Sequence, residues 1–389
     1  MVCGSFFIVP MPITDIVDAV SAPYTVWRTL RGIEPLCHNG RATFVTGNAA
    51  VTFTVMHEGR KKILKCYTRS NPYLREIYGS KYYPKELCVI APTGSQMWVD
   101  CLLYDYIEGI SLDEAICAAR DCHDIALLAK AFDTMACHIL ADSTSHGDLK
   151  PDNIIVTPSM EMIPIDYDSA FTPSLAGKPA TEVGTAGYQH PARDTRFFDK
   201  HLDDYSIAII STLLHIATTD FSVVKYFRDT HENPLQPRDI IAGKCPYLST
   251  HTEAFARRGD AIRYRIASML TSAWPRLFNL ESTLRFSQAE NLATSTEGAY
   301  LDEENGLWGC RNDEGWIIPP LYDSGFDPAE GYMIAMLGGY AHLISITESK
   351  VVHSFEKGIM ARSVSNGEVV IRDKDGNRTS IALKSLLAD

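Results

Sequence analysis

The chain predicts an α+β fold in three parts: a small β-rich unit, a helical unit and a small all-β domain at the C-terminal side. Three observations carry that prediction. Between Ala42 and Thr68, β-prone residues alternate around turns at Gly47–Asn48 and Gly59. From Ser111 onward the apolar spacing changes to that of helices. After about Thr296 the texture becomes Gly-rich and aromatic-rich, as in short hairpins. The boundaries follow these changes: an N-terminal extension over 1–41, the β-rich unit over 42–109, the helical unit over 110–295 and the β module over 300–389.

Within the first part, strands are expected over Ala42–Thr46, Ala50–Val55 and Ile63–Tyr67, then a short helix near Tyr73–Tyr78. Two further strands follow at Leu87–Ile90 and Trp98–Tyr106. In the second part, Ser111 with Glu114 three residues on reads as a helix start, and a longer helix runs through Ile125–Ala141. Leu202–Ala217 reads as a largely buried helix and Asp260–Ser272 as another.

Composition narrows the partners. The 389 residues are 46% hydrophobic and 22% charged, ordinary for a globular protein, and the length exceeds one small core. A net charge of -12 argues against a nucleic-acid surface, which needs clustered Lys and Arg. The ten cysteines contain no C-x-x-C pair, so reduced thiols are expected rather than a zinc or redox site. The apolar run Phe6–Val9 is broken by Pro10 and Pro12 and lacks a basic flank, so no signal peptide is read. No stretch reaches membrane-spanning length, and the expected compartment is the cytoplasm.

The stretch most informative about chemistry is His146–Val156, which reads HGDLKPDNIIV. Four fixed letters of this kind recur by chance only about once in 10⁵ positions. It resembles the catalytic loop of protein kinases, H-R-D-L-K-x-x-N, with Asp148, Lys150 and Asn153 at the family's spacing. The chemistry explains that spacing. One carboxylate must orient the attacking hydroxyl, an ammonium must meet the γ-phosphate, and an amide oxygen must bind metal on the same side. The resemblance implies a bilobal protein-kinase-like fold with ATP between a β-rich lobe and a helical lobe, and Mg²⁺ as the metal.

Other segments follow in the family's order. Asp166, closing the apolar run Ile163–Ile165, resembles the D-F-G acid that holds Mg²⁺, with Tyr167 in the Phe place and Asp168 where the family has Gly. Lys65 on the third strand resembles the lysine that meets the α- and β-phosphates, and Glu76 is its expected ion-pair partner, at a shorter interval than the family usually shows. Gly47 stands in the place of the phosphate-covering hairpin, with one Gly where the family has three. In the hinge, the Asp105 carbonyl and the Ile107 amide are expected to meet the adenine edge, with Tyr104 as the residue guarding the pocket behind. Glu182–Pro191 resembles the end of an activation segment, and Asp203 the residue that holds the catalytic loop backbone.

The tail residues Gly306–Cys310 and Gly315–Tyr322 resemble a WG-type β-repeat, which implies a capping or protein-partner role. The resemblance as a whole implies ATP-dependent phosphoryl transfer to a protein Ser or Thr, the Lys150 position favouring a protein substrate. A small-molecule phosphotransferase and a nucleotide-binding pseudokinase scaffold stay open beside it.

Overall fold

The computed structural model describes residues 12–22, 24–91, 93–288 and 292–387. The apolar run Phe6–Val9 lies outside them. The chain is mixed α+β, 30% helix and 29% strand.

The first part is built from α1 (Ile13–Ser21), β1 (Glu34–Pro35), β2 (Cys37–His38), β3 (Arg41–Ala42), β4 (Phe44–Thr46), β5 (Ala50–His57), β6 (Arg60–Tyr67), α2 (Leu74–Tyr78), β7 (Tyr82–Ile90) and β8 (Gln96–Asp105). The main sheet is antiparallel in the order β1-β5-β6-β8-β7, and β4 shares the outer edge of β5 with β1. Period-two alternation gives its two faces different tasks. Val51, Phe53, Val55, Leu64 and Cys66 point to a core that α1 covers with Ile16, Val17 and Val20. Lys65 and Tyr67 point the other way, towards the helical part. The N-terminal boundary is therefore corrected: α1 and β1 belong to this unit, because the apolar back of the sheet needs a cover that residues beyond Ala42 do not supply.

The second part holds β9 (Ile110–Ser111), α3 (Leu112–Ala118), α4 (Cys122–Ala141), β10 (Ile154–Val156), β11 (Met162–Pro164), α5 (Asp204–Ala217), α6 (Ser222–Thr230), α7 (Pro237–Ile241), α8 (Pro246–Arg258), α9 (Ala261–Met269) and α10 (Leu280–Arg285). Ser111 and Glu114 form the reciprocal capping pair that starts α3. Nearly every residue of α5 is buried, so this helix is enclosed on all sides and forms the centre of the core with α4.

The third part runs through three successive antiparallel sheets. They are β12 (Tyr300–Glu304), β13 (Leu307–Asn312) and β14 (Gly315–Tyr322); β15 (Ser324–Gly325), β16 (Tyr332–Leu337), β17 (Tyr340–Ser345) and β18 (Lys350–Ser354); and β19 (Met360–Ala361), β20 (Glu368–Arg372) and β21 (Arg378–Ala382), closed by α11 (Leu383–Leu386). No helix among the described residues is long and apolar enough to cross a membrane.

This tail is not a detached appendage. Ala261 of α9 sits in one cluster with Ile317, Ile318, Leu321 and Tyr322, and Ile262 and Tyr264 pack against the same cluster. Arg265 donates to the Leu321 carbonyl at 2.8 Å and pairs with Asp323 at 2.6 Å. Glu253 of α8 accepts from Tyr340 at 3.0 Å and Lys357 at 2.8 Å. A chain ending at Glu297 is therefore expected to aggregate or to lose about 10 °C or more of its unfolding midpoint, since several apolar side chains are uncovered at once. Thermal unfolding of that truncation checks this, and an unchanged midpoint would contradict the shared core.

Candidate active site

Five separated segments meet in a cleft of about 330 Å³ between the sheet and the helical part. Its walls include Gly47, Lys65, Asp148, Lys150, Asn153, Asp166, Asp168 and Glu182. The local structure shows how each arrives. Residues 142–153 link α4 to β10, which pairs with β11 so that Ile154 faces Pro164. The Ile165 amide then donates to the Asn153 carbonyl at 2.9 Å, so the ends of the two strands bring Asn153 beside the turn that carries Asp166.

The loop backbone is fixed from below. Asp203, almost fully buried, accepts from the His146 amide at 2.5 Å and the Gly147 amide at 2.8 Å, the task its position implied. Arg193 adds a guanidinium bond to the Gly147 carbonyl at 2.9 Å. Tyr167 rests its ring 4.6 Å from that of His146. Gly147, at φ +82°, leaves no room for a side chain, because a Cβ there would lie 2.2 Å from the Ser169 carbonyl oxygen. Gly147→Ala is expected to cost about 3 kcal/mol or more, overpacking and left-handed strain acting together. Chemical denaturation measures it; a loss below about 1 kcal/mol would mean that the loop and Ser169 are not in contact.

Asp148 accepts from the Thr185 amide on one oxygen, Oδ1, at 2.6 Å. Asn153 donates its Nδ2 to the Asp148 carbonyl at 2.9 Å, which orients its Oδ1 as the remaining acceptor. Lys150 is half-buried and only loosely paired, 3.8 Å from Asp152. Asp166 adopts φ +66°, a left-handed conformation that Asp tolerates better than most residues, and its side chain is 42% exposed. Lys65 lies between two acids, 2.5 Å from Asp166 Oδ1 and 2.7 Å from Asp168 Oδ2. Burial pushes its ammonium down, and the two carboxylates outweigh that and hold it above the usual lysine range.

The structure brings Lys65, Asp148, Lys150, Asn153 and Asp166 together with Gly47, and it separates Glu76 from them. Glu76 is not beside Lys65; its nearest cation is Lys178, at 3.9 Å. The helix explains this. Leu74 and Tyr78, one turn apart, face inward, and Glu76 stands about 200° round from Leu74, on the outside. Gly47 lines the cleft on the turn between β4 and β5, where its N–H donates to the Ala50 carbonyl at 2.9 Å. Asp105 ends β8 with its side chain on Lys62 at 2.5 Å, and Ile107 follows in the connector to β9. Tyr104 is half-buried against Tyr67, Leu74 and Leu102, and burial raises its hydroxyl to about 12.

Nothing in the sequence pointed to the place of Glu182 in the cleft, where its carboxylate accepts from the Ser169 hydroxyl, or directly to the use made of Asp168. An indirect signal for Asp168 was an acid in a Gly position beside an unusually short lysine-to-glutamate interval. No protein-family model matches the chain, and no curated protein does.

Proposed function

We propose that this chain is an ATP-dependent phosphotransferase with a bilobal, protein-kinase-like fold and a Ser or Thr hydroxyl of a protein as acceptor. The observation that carries the reading is the convergence of Lys65, Asp148, Lys150, Asn153 and Asp166 on one cleft from segments far apart in the chain. The donor set also fits a hard divalent cation. Four carboxylates face two ammonium groups there, and the Asn153 amide oxygen is oriented by its own Nδ2 bond. Asp166 and Asn153 would hold Mg²⁺, which when bound neutralises phosphate charge.

The protein's own groups divide the remaining work. Asp148 has Oδ1 on the Thr185 amide, and Oδ2 is left to accept from an acceptor hydroxyl and orient its oxygen. Lys150, two residues on, offsets charge gathering on the transferred group. Lys65 meets the phosphates of ATP from the sheet side. The tail sheets cap α8 and α9, and their outer strands are read as the surface for a protein partner.

Incubation of the full chain with Mg·ATP and a peptide library, followed by mass spectrometry, tests this. Phosphoserine or phosphothreonine is the expected product. ATP binding with no transfer to any peptide would leave a nucleotide-binding scaffold instead.

A further inference from the structure

Asp168 has an environment unlike that of the other cleft acids. Its Oδ1 accepts from the Tyr67 hydroxyl and the Tyr78 hydroxyl, each at 2.8 Å, and its Oδ2 accepts from Lys65 at 2.7 Å. Its carbonyl accepts from Asn71 Nδ2 at 2.9 Å, so the backbone is tied as well. The side chain is 14% exposed, against 42% for Asp166. A carboxylate has about four lone-pair sites. Three donors occupy Asp168, whereas Asp166 has Lys65 on Oδ1 and keeps Oδ2 for another ligand.

We infer that Asp168, tethered by Tyr67 and Tyr78, is the residue that positions Lys65, and that Glu76 has no part in this. The inference rests on the reading of the cleft as a nucleotide site, which makes Lys65 the phosphate-binding ammonium. Lys65 has three N–H donors and uses two, on Asp166 and Asp168. If Asp166 is committed to a metal, Asp168 remains the fixed anchor that aims the ammonium at phosphate. The tether also joins the two parts, because Tyr67 belongs to β6 and Tyr78 to α2, while Asp168 follows β11.

The consequence can be read without turnover. The groups facing Lys65 are Asp166, Asp168, Tyr67 and Tyr104, with Asp148, Lys150 and Glu182 elsewhere in the cleft. Asp168→Asn keeps an oxygen for the two tyrosines but turns an NH₂ towards Lys65 and removes one negative charge. In nucleotide-free protein, acylation of Lys65 by an amine reagent is expected to speed up several-fold, because an ammonium held on one carboxylate instead of two is less firmly fixed in the cleft. Lys62, paired with Asp105, is the internal reference and should not change. Glu76→Gln should leave Lys65 labelling within about twofold.

Calorimetry with Mg·ATP should show at least tenfold weaker binding for Asp168→Asn. The Tyr67→Phe, Tyr78→Phe double variant serves if that protein does not fold; its ATP affinity should fall at least about threefold, with the carboxylate still present. Unchanged Lys65 labelling in Asp168→Asn, an equal effect from Glu76→Gln, or unchanged ATP affinity in the double variant would overturn the inference. Altered labelling in a protein that transfers no phosphate would keep the Asp168–Lys65 pairing and reject the proposed activity.

Discussion

Asp148→Asn is expected to lower phosphoryl transfer by about 10²–10⁴-fold while leaving ATP affinity within about twofold, the range for losing a positioned base. The substitution is nearly isosteric. An Asn oxygen can still accept the Thr185 amide that Asp148 Oδ1 now accepts, and the Asn153 bond goes to the residue's backbone carbonyl, which does not change. Only the anionic acceptor facing a hydroxyl is lost. Gly184 keeps this arrangement tight: its φ is +72°, and a Cβ there would lie 3.0 Å from Asp148 Oδ1. Steady-state kinetics on both proteins checks the expectation. Turnover within a few-fold of wild type would remove Asp148 from the hydroxyl-orienting role.

Asp166→Ala should weaken Mg²⁺-dependent ATP binding by about 100-fold or more, since a direct oxygen ligand is lost from a site with few of them. A second effect runs in the same direction, because Lys65 loses the nearer of its two partners. Alanine at φ +66° also adds about 1–2 kcal/mol of backbone strain. Asp166→Asn separates the two causes, as Asn tolerates that conformation and retains one oxygen. Titration calorimetry with and without Mg²⁺ should rank Ala weakest, Asn intermediate and wild type strongest. If Asp168→Gly removed the metal dependence and Asp166→Ala did not, the metal ligand would move two residues along the chain.

How much of this was legible in the sequence depended on how local the constraint was. Asp148, Lys150 and Asn153 lie within six positions, so their meeting in one cleft was legible from a single short loop. Lys65 could be placed because a strand's alternation assigns it a face. Asp203 was legible by position and does bond the loop amides. Glu76 was misassigned because order along the chain says nothing of the face of a five-residue helix; the Leu74 and Tyr78 spacing held that information. The cover of the sheet by α1 and the packing of α9 on the tail are long-range matches between apolar faces. Each stretch looks complete when read alone, so both unit boundaries were drawn through shared cores.

Titration of the wild-type chain with ATP, by calorimetry in the presence and absence of Mg²⁺, bears most directly on the claim that this cleft is a nucleotide site. Saturable one-to-one binding that weakens at least about tenfold without the metal is expected, because the cleft has two more carboxylates than ammonium groups and repels phosphate alone. Binding of equal strength with and without Mg²⁺, or no binding of ATP at all, would contradict it.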